Sequence, residues 1–120
     1  MIDYKDLRVG NWLRFNNHTY VQVFEINSDN NTCNGLDLSN DDFHEPIPLT
    51  PELLIKCGFE GMVRKNDYIL DGFRITHVHL TENFCYALGN GCNPPTMKYL
   101  HQLQNLYYVL TGKELEIDLK

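Results

Sequence analysis

The feature that most constrains the fold is an amphipathic stretch near the C-terminus, residues 97–110, which reads MKYLHQLQNLYYVL. Its apolar residues recur at spacings of three and four, which places them in one stripe on an α-helix. Thr96 can cap the start of this helix, and Gly112 can end it because glycine tolerates a left-handed backbone. The sequence therefore predicts one long helix whose apolar stripe faces a core. The stripe consists of Leu100, Leu103, Leu106, Tyr107 and Leu110.

The opposite face of the predicted helix carries four side chains that can all hydrogen-bond: His101, Gln104, Asn105 and Tyr108. They also lie at helical spacing, so they line up with one another. A polar helix face is ordinarily solvated. However, amides, an imidazole and a phenol in place of charged residues suit a protein interface. The second interpretation makes these four residues a partner-binding surface.

Composition predicts an ordinary globular protein with a single domain over residues 1–120. The chain is 42% hydrophobic and 22% charged, which is typical of soluble domains of this length. A formal net charge of -6 argues against broad binding to nucleic acid. Because no signal-like segment or bilayer-spanning apolar run is present, we expect a cytoplasmic protein that does not bind membranes. Four cysteines without a CxxC pair predict reduced thiols.

The remaining chain alternates between strand patterns and turn signals. Residues 8–15 and 19–26 predict an antiparallel hairpin, and residues 36–38 a short third strand. Thr50 and Pro51 start a short helix that Gly58 ends. The later segments predict a β-meander over residues 62–88, a loop over 89–95 and a final edge strand over 114–119. Together they predict an α+β fold, in which one long and one short helix pack on antiparallel sheet. The sheet consists of an N-terminal hairpin or small barrel-like part and the β-meander.

Two histidines are the strongest candidates for metal ligands. His77 and His79 are two residues apart on a predicted strand, so they project to the same face and could begin a zinc site that Glu82 or Cys85 completes. A structural histidine pair is the alternative. A separate acidic loop contains Asp37, Asp41, Asp42, His44 and Glu45. It lacks the alternation of ligands and the glycine that are typical of a calcium-binding loop. We predict no metal and no cofactor.

A second candidate site is the predicted strand face with Arg8, Trp12 and Arg14. Two guanidinium groups beside an indole could hold a phosphorylated or aromatic ligand by forked hydrogen bonds and stacking. Cation–π packing on a solvent-facing sheet is the alternative interpretation. The sequence contains no nucleophile elbow and no phosphate-binding glycine loop, so we predict no enzymatic activity.

Three segments resemble a group of small uncharacterised proteins encoded by gut Bacteroidales bacteria, their prophages and phages. The segments are DLRVGNWL at residues 6–13, PIPLTPELLIKCGF at 46–59 and YLHQLQNLYYVLTGKELEI at 99–117, and they cover about a third of the chain. The resemblance implies an accessory protein of a mobile element. It implies no site residues, because the group has no assigned activity.

Three functional hypotheses follow. The first is a non-enzymatic accessory protein that binds a protein partner through the face from His101 to Tyr108. The second is a small-ligand binder, such as a sponge for a nucleotide signal of host defence, that uses Arg8, Trp12 and Arg14. The third is a metal-dependent enzyme that uses His77 and His79. A homo-oligomer is compatible with each hypothesis.

Overall fold

The structure, a computed structural model, describes residues 4–15, 19–38, 44–62, 67–70, 73–78, 83–88 and 91–117. These ranges contain antiparallel strands, one long helix and one short helix, which confirms the predicted α+β class. The chain forms two compact units. The first comprises residues 1–48 and 99–106, and the second comprises residues 49–98 and 107–120.

The described part of the first unit contains two small antiparallel sheets. Strands β1 (Trp12–Phe15) and β2 (Thr19–Gln22) form the predicted hairpin, although the second strand ends at Gln22 and not at Ile26 as predicted. Strands β3 (Ile26–Asn27), β4 (Thr32–Cys33) and β5 (Leu36–Asp37) form the second sheet in chain order. A short 3-10 helix, Tyr4–Asp6, precedes β1. Burial of aliphatic side chains between these elements stabilises the unit. Its core contains Leu7, Leu13, Val23, Cys33 and Leu38.

The strand predicted over residues 8–15 is wrong over its first half, because the chain turns before β1. The turn is closed by the Asn11 amide, which donates to the Arg8 carbonyl at 3.0 Å. Gly10 has a φ of 101° at the third position of this turn, where a type II turn requires a left-handed residue. Arg8 therefore does not lie on the strand that carries Trp12.

The second unit begins with helix α1 (Pro51–Lys56), whose ends follow the sequence prediction. The Thr50 hydroxyl accepts from the Leu53 amide at 3.1 Å. At the other end Gly58 adopts a φ of 93°, and the Phe59 amide donates back to the Leu54 carbonyl at 3.1 Å. This Schellman geometry pairs carbonyls that the end of a helix otherwise leaves without partners.

A meander follows α1 in the second unit. The described strands form one antiparallel sheet of order β10-β9-β8-β7-β6. The predicted meander is therefore confirmed. The strands are β6 (Glu60–Met62), β7 (Asp67–Leu70), β8 (Phe73–Val78), β9 (Asn83–Leu88) and β10 (Gly91–Met97).

Strand β10 replaces the loop predicted over residues 89–95. Its register against β9 shifts between Asn93 and Thr96, across the two consecutive prolines. Proline cannot donate to a strand ladder, so it is accommodated at a bulge and on an edge strand, and β10 is an edge strand. The final strand predicted over residues 114–119 is also wrong in its described part, because residues 114–117 form no strand. Residues 118–120 lie outside the described ranges.

The long helix, α2 (Leu100–Thr111), begins later than predicted. Thr96 lies within β10 and is not the N-cap; instead the Gln102 side chain accepts from the Tyr99 amide at 3.0 Å. The helix ends as predicted at Gly112, which has a φ of 74° and donates its amide to the Tyr108 carbonyl at 2.8 Å.

The predicted apolar stripe of α2 is only partly buried. Leu100, Leu103 and Tyr107 are buried, whereas Leu106 is half-buried and Leu110 is 48% exposed. Successive side chains on a helix are rotated by about 100° around its axis. In the first turns of α2 the buried side is therefore centred near Leu100 and includes positions that the sequence pattern assigned to the polar face. The stripe was therefore assigned to the correct helix but to a face that is rotated from the buried one.

Candidate functional site

A buried glutamine joins α2 to the segment before β1 within the first unit. Gln104 is only 1% exposed. Its Nε2 donates to the Gly10 carbonyl at 3.1 Å, and its Oε1 accepts from the Trp12 amide at 2.8 Å. The Gly10 carbonyl also accepts from Nε2 of Gln22 at 3.1 Å. The buried amide thus pairs one backbone group at the start of β1 and another just before it.

Asn105 binds the same segment at three points. Its Nδ2 donates to the Asp6 carbonyl at 2.9 Å. Its Oδ1 accepts from Nδ2 of Asn11 at 2.9 Å and from Nε of Arg8 at 3.3 Å. Gln104 and Asn105, which we call the amide clamp, therefore fix residues 6–12 to the helix by hydrogen bonds that depend on side-chain geometry.

His101 lies one helical turn before the amide clamp. It is 3% exposed, and its ring stacks on Tyr99 with a centroid distance of 5.9 Å and an interplanar angle of 9°. Its Nδ1 is buried and has no hydrogen-bond partner in the described part of the chain. Burial lowers the pKa of His101, and the nearby Asp6 carboxylate opposes this shift in part.

These contacts correct the prediction of a partner-binding surface at His101, Gln104, Asn105 and Tyr108. His101 and Gln104 are buried within the first unit, and Asn105 is half-buried and holds the segment before β1. Tyr108 is 42% exposed. The helix face carries amides and an imidazole in place of charged residues, a composition that suggested an interface. In the structure these side chains belong instead to a buried polar network.

The structure does not assemble Arg8, Trp12 and Arg14 into the predicted ligand site. Arg8 precedes the strand and donates to Asn105. The Arg14 guanidinium pairs with Glu45 through Nη2 at 2.9 Å and Nε at 3.3 Å, and the two backbones also bond to each other. Trp12 is half-buried. Both arginines therefore already bind acceptors of the protein.

The predicted histidine pair falls only partly within the described residues. His77 lies on β8 and stacks on Phe84, with ring centroids 4.6 Å apart and an interplanar angle of 14°. His79 and Glu82 lie outside the described ranges. Cys85 is disulfide-bonded, so the expectation of reduced thiols is wrong for this residue. The described residues contain no group of three or more side chains arranged to hold a metal ion.

The acidic loop is likewise described only in part, because Asp41 and Asp42 lie outside the described ranges. Asp37 is exposed on β5. His44 is buried, and its Nε2 donates to the Cys33 carbonyl at 2.9 Å. Glu45 pairs with Arg14. His44 and Glu45 thus have structural partners within the first unit.

Two free cysteines, Cys33 and Cys57, are buried in the first and second unit respectively. Burial raises the pKa of Cys33 to about 11 and that of Cys57 to about 12. Both thiols are therefore protonated at neutral pH. A thiol acts as a nucleophile in its thiolate form, so neither residue has the electrostatic surroundings of a catalytic cysteine.

Three consecutive residues in the last turn of α2 form an exposed apolar surface. Tyr108, Val109 and Leu110, which we call the α2 terminal surface, are 42%, 75% and 48% exposed. The sequence pattern does not indicate this surface, because it predicts Leu110 in the core and Tyr108 on the polar face of the helix. The second unit also contains an open groove of about 660 Å³. This groove is lined by Cys57, Gly58, Leu70, Tyr107, Lys113, Glu114 and Glu116.

Comparison with protein families, with curated proteins and with solved structures finds no match to this chain. None of the helices in the described residues has the length and apolar character needed to cross a membrane.

Proposed function

We propose that this protein is a non-enzymatic accessory protein of a phage or other mobile element, and that it binds a protein partner through the α2 terminal surface. The observation that carries the proposal is the exposure of Tyr108, Val109 and Leu110. A solvated helix surface is normally polar, and three consecutive exposed apolar residues are uncommon unless they serve binding.

The chemistry of this surface supports a protein partner. Tyr108 offers an aromatic ring with a polar tip, a residue type enriched among the anchors of protein interfaces. Tyr107, its neighbour in sequence, lines the groove of the second unit. A partner side chain that enters the groove would extend the contact beyond three residues, which a stable interface of about 800 Å² per partner requires.

The test compares two charge substitutions on exposed apolar residues. Val109→Asp places a carboxylate in the α2 terminal surface, whereas Phe24→Asp does so at a residue of the first unit that is 71% exposed. Tagged proteins are incubated with host lysate, and captured proteins are quantified by mass spectrometry. Circular dichroism confirms that both variants are folded.

We expect Val109→Asp to lose a partner that wild type and Phe24→Asp retain. Equal capture by all three proteins, or loss in both variants, would contradict the assignment of the surface. A partner lost only in Phe24→Asp would move the interface to the first unit.

A second candidate function, small-ligand binding, is favoured by the groove rather than by the predicted arginine site. A volume of about 660 Å³ lies within the range of known ligand pockets. Native mass spectra recorded before and after denaturation test this function. A mass excess lost on denaturation would identify a ligand, and a bare chain from several expression hosts would argue against one.

A further inference from the structure

His101 is buried in the first unit, and its ring nitrogen Nδ1 makes no hydrogen bond to the described residues. The residue is 3% exposed. It lies in the first turn of α2, where the positive end of the helix dipole disfavours a cation. Each of these conditions favours the neutral imidazole over the imidazolium.

The charged and titratable groups that adjoin His101 provide little compensation for a positive charge. Asp6, at the end of the 3-10 helix, is the acid that favours protonation, but desolvation outweighs it. Tyr99 presents its ring to the imidazole. Arg8, which binds Asn105 in the next turn, adds a further positive charge to the same network. An added proton at Nδ1 would therefore be a buried donor without a described acceptor.

The position of His101 couples its protonation to the amide clamp. Gln104 and Asn105 follow it by three and four residues, so all three side chains lie on neighbouring positions of the same helix face. The clamp holds the backbone at Asp6, Gly10 and Trp12. A shift of the first turn that brings His101 into contact with water would separate these hydrogen bonds.

We propose that His101 is an acid-sensitive latch: its protonation opens the amide clamp and releases residues 4–12 from α2. The imidazole is neutral in the closed form, whereas in the open form it is solvated and titrates near its ordinary value of 6.5. The open form therefore binds more protons, and opening becomes more favourable as the pH falls below that value.

Native-state hydrogen exchange measured by NMR tests the latch. The Trp12 amide is the main reporter because it donates to Gln104. Its protection factor, corrected for the intrinsic exchange rate, should fall about tenfold between pH 7.5 and pH 5.5, since opening takes up one proton. The Phe59 amide, which donates to Leu54 in the second unit, is the internal control and should keep its protection.

Two variants identify the responsible histidine. His101→Gln cannot titrate, so its Trp12 protection should not depend on pH in this window. His77→Gln removes a half-buried histidine of the second unit and should leave the wild-type response intact. A pH response that persists in His101→Gln, or that disappears in His77→Gln, would overturn the proposal.

A measurement on the wild-type chain keeps the proposal testable if His101→Gln fails to fold. The imidazole ¹⁵N shifts of His101 report its protonation directly. A protonated His101 at pH 6.5 together with unchanged protection at Trp12 would show that the closed form accepts the proton, and the latch would be refuted.

Discussion

Removal of the buried Gln104 side chain provides the sharpest test of the first unit. In Gln104→Ala the Trp12 amide loses its acceptor, which was 2.8 Å away, and a buried unsatisfied donor costs about 1 to 3 kcal/mol. The Gly10 carbonyl loses one hydrogen bond, worth about 0.5 to 1.5 kcal/mol, but keeps the bond from Gln22. We therefore expect the free energy of unfolding to fall by roughly 2 to 4 kcal/mol.

The matched control is Gln22→Ala. Gln22 donates to the same Gly10 carbonyl but is exposed, so its removal should cost less than about 1 kcal/mol. The double variant leaves this carbonyl without either bond. Its cost should exceed the two single costs together, because the two side chains share one acceptor.

Urea unfolding followed by fluorescence measures these differences, because Trp12 is the only tryptophan and lies at the clamp. Circular dichroism at 222 nm tests whether the second unit follows the same transition. A loss below about 1 kcal/mol in Gln104→Ala would refute the assignment of Gln104 as a buried structural residue. Strictly additive costs in the double variant would refute the shared acceptor.

Three further predictions concern the core, the thiols and a helix end. Leu103→Ala should lower the free energy of unfolding by about 2 to 5 kcal/mol because the side chain is fully buried, whereas Leu110→Ala should change it by less than about 0.5 kcal/mol because nearly half of that side chain is exposed. Urea unfolding measures both costs, and equal costs would contradict the rotated buried face of α2. Cys57 should resist Ellman's reagent at pH 8 in the folded protein and react after denaturation, because burial raises the pKa of its thiol to about 12. Rapid labelling of Cys57 in the folded protein, located by mass spectrometry, would contradict the burial of this thiol. Gly112→Ala should lower the free energy of unfolding by about 1 to 2 kcal/mol because of the φ of 74° alone, since a Cβ at this position meets no described atom within 4 Å. Thermal unfolding measures this cost, and an unchanged midpoint would argue against a left-handed residue at the end of α2.

Local structure was predicted well where neighbouring residues decide it. Thr50 and Gly58 bound α1, Gly112 ends α2, and the β1–β2 hairpin forms from residues 12–15 and 19–22 of its two predicted strands. These features depend on caps, left-handed glycines and alternating side chains, all of which act within a few residues. The sequence signal and the physical cause are therefore the same.

Strand β10 and the start of α2 were mispredicted because pairing with the preceding strand, β9, overrides the local signal of the two prolines. The two prolines favour a loop when read alone, but pairing with β9 accommodates them at a change of register. Met97 then belongs to β10, and α2 starts only at Leu100. No local pattern shows that an edge of the sheet is available at this point.

The candidate site shows the same division. The sequence by itself determined that residues near His101, Gln104 and Tyr108 lie on a helix and that their side chains can hydrogen-bond, because periodicity and residue chemistry are local properties. Only the tertiary structure decided which of them meet solvent. Gln104 is buried because the backbone at Gly10 and Trp12 needs partners there, and Leu110 is exposed because the buried face of α2 is turned away from it. Burial depends on what packs against a helix, and that is a property of the whole chain.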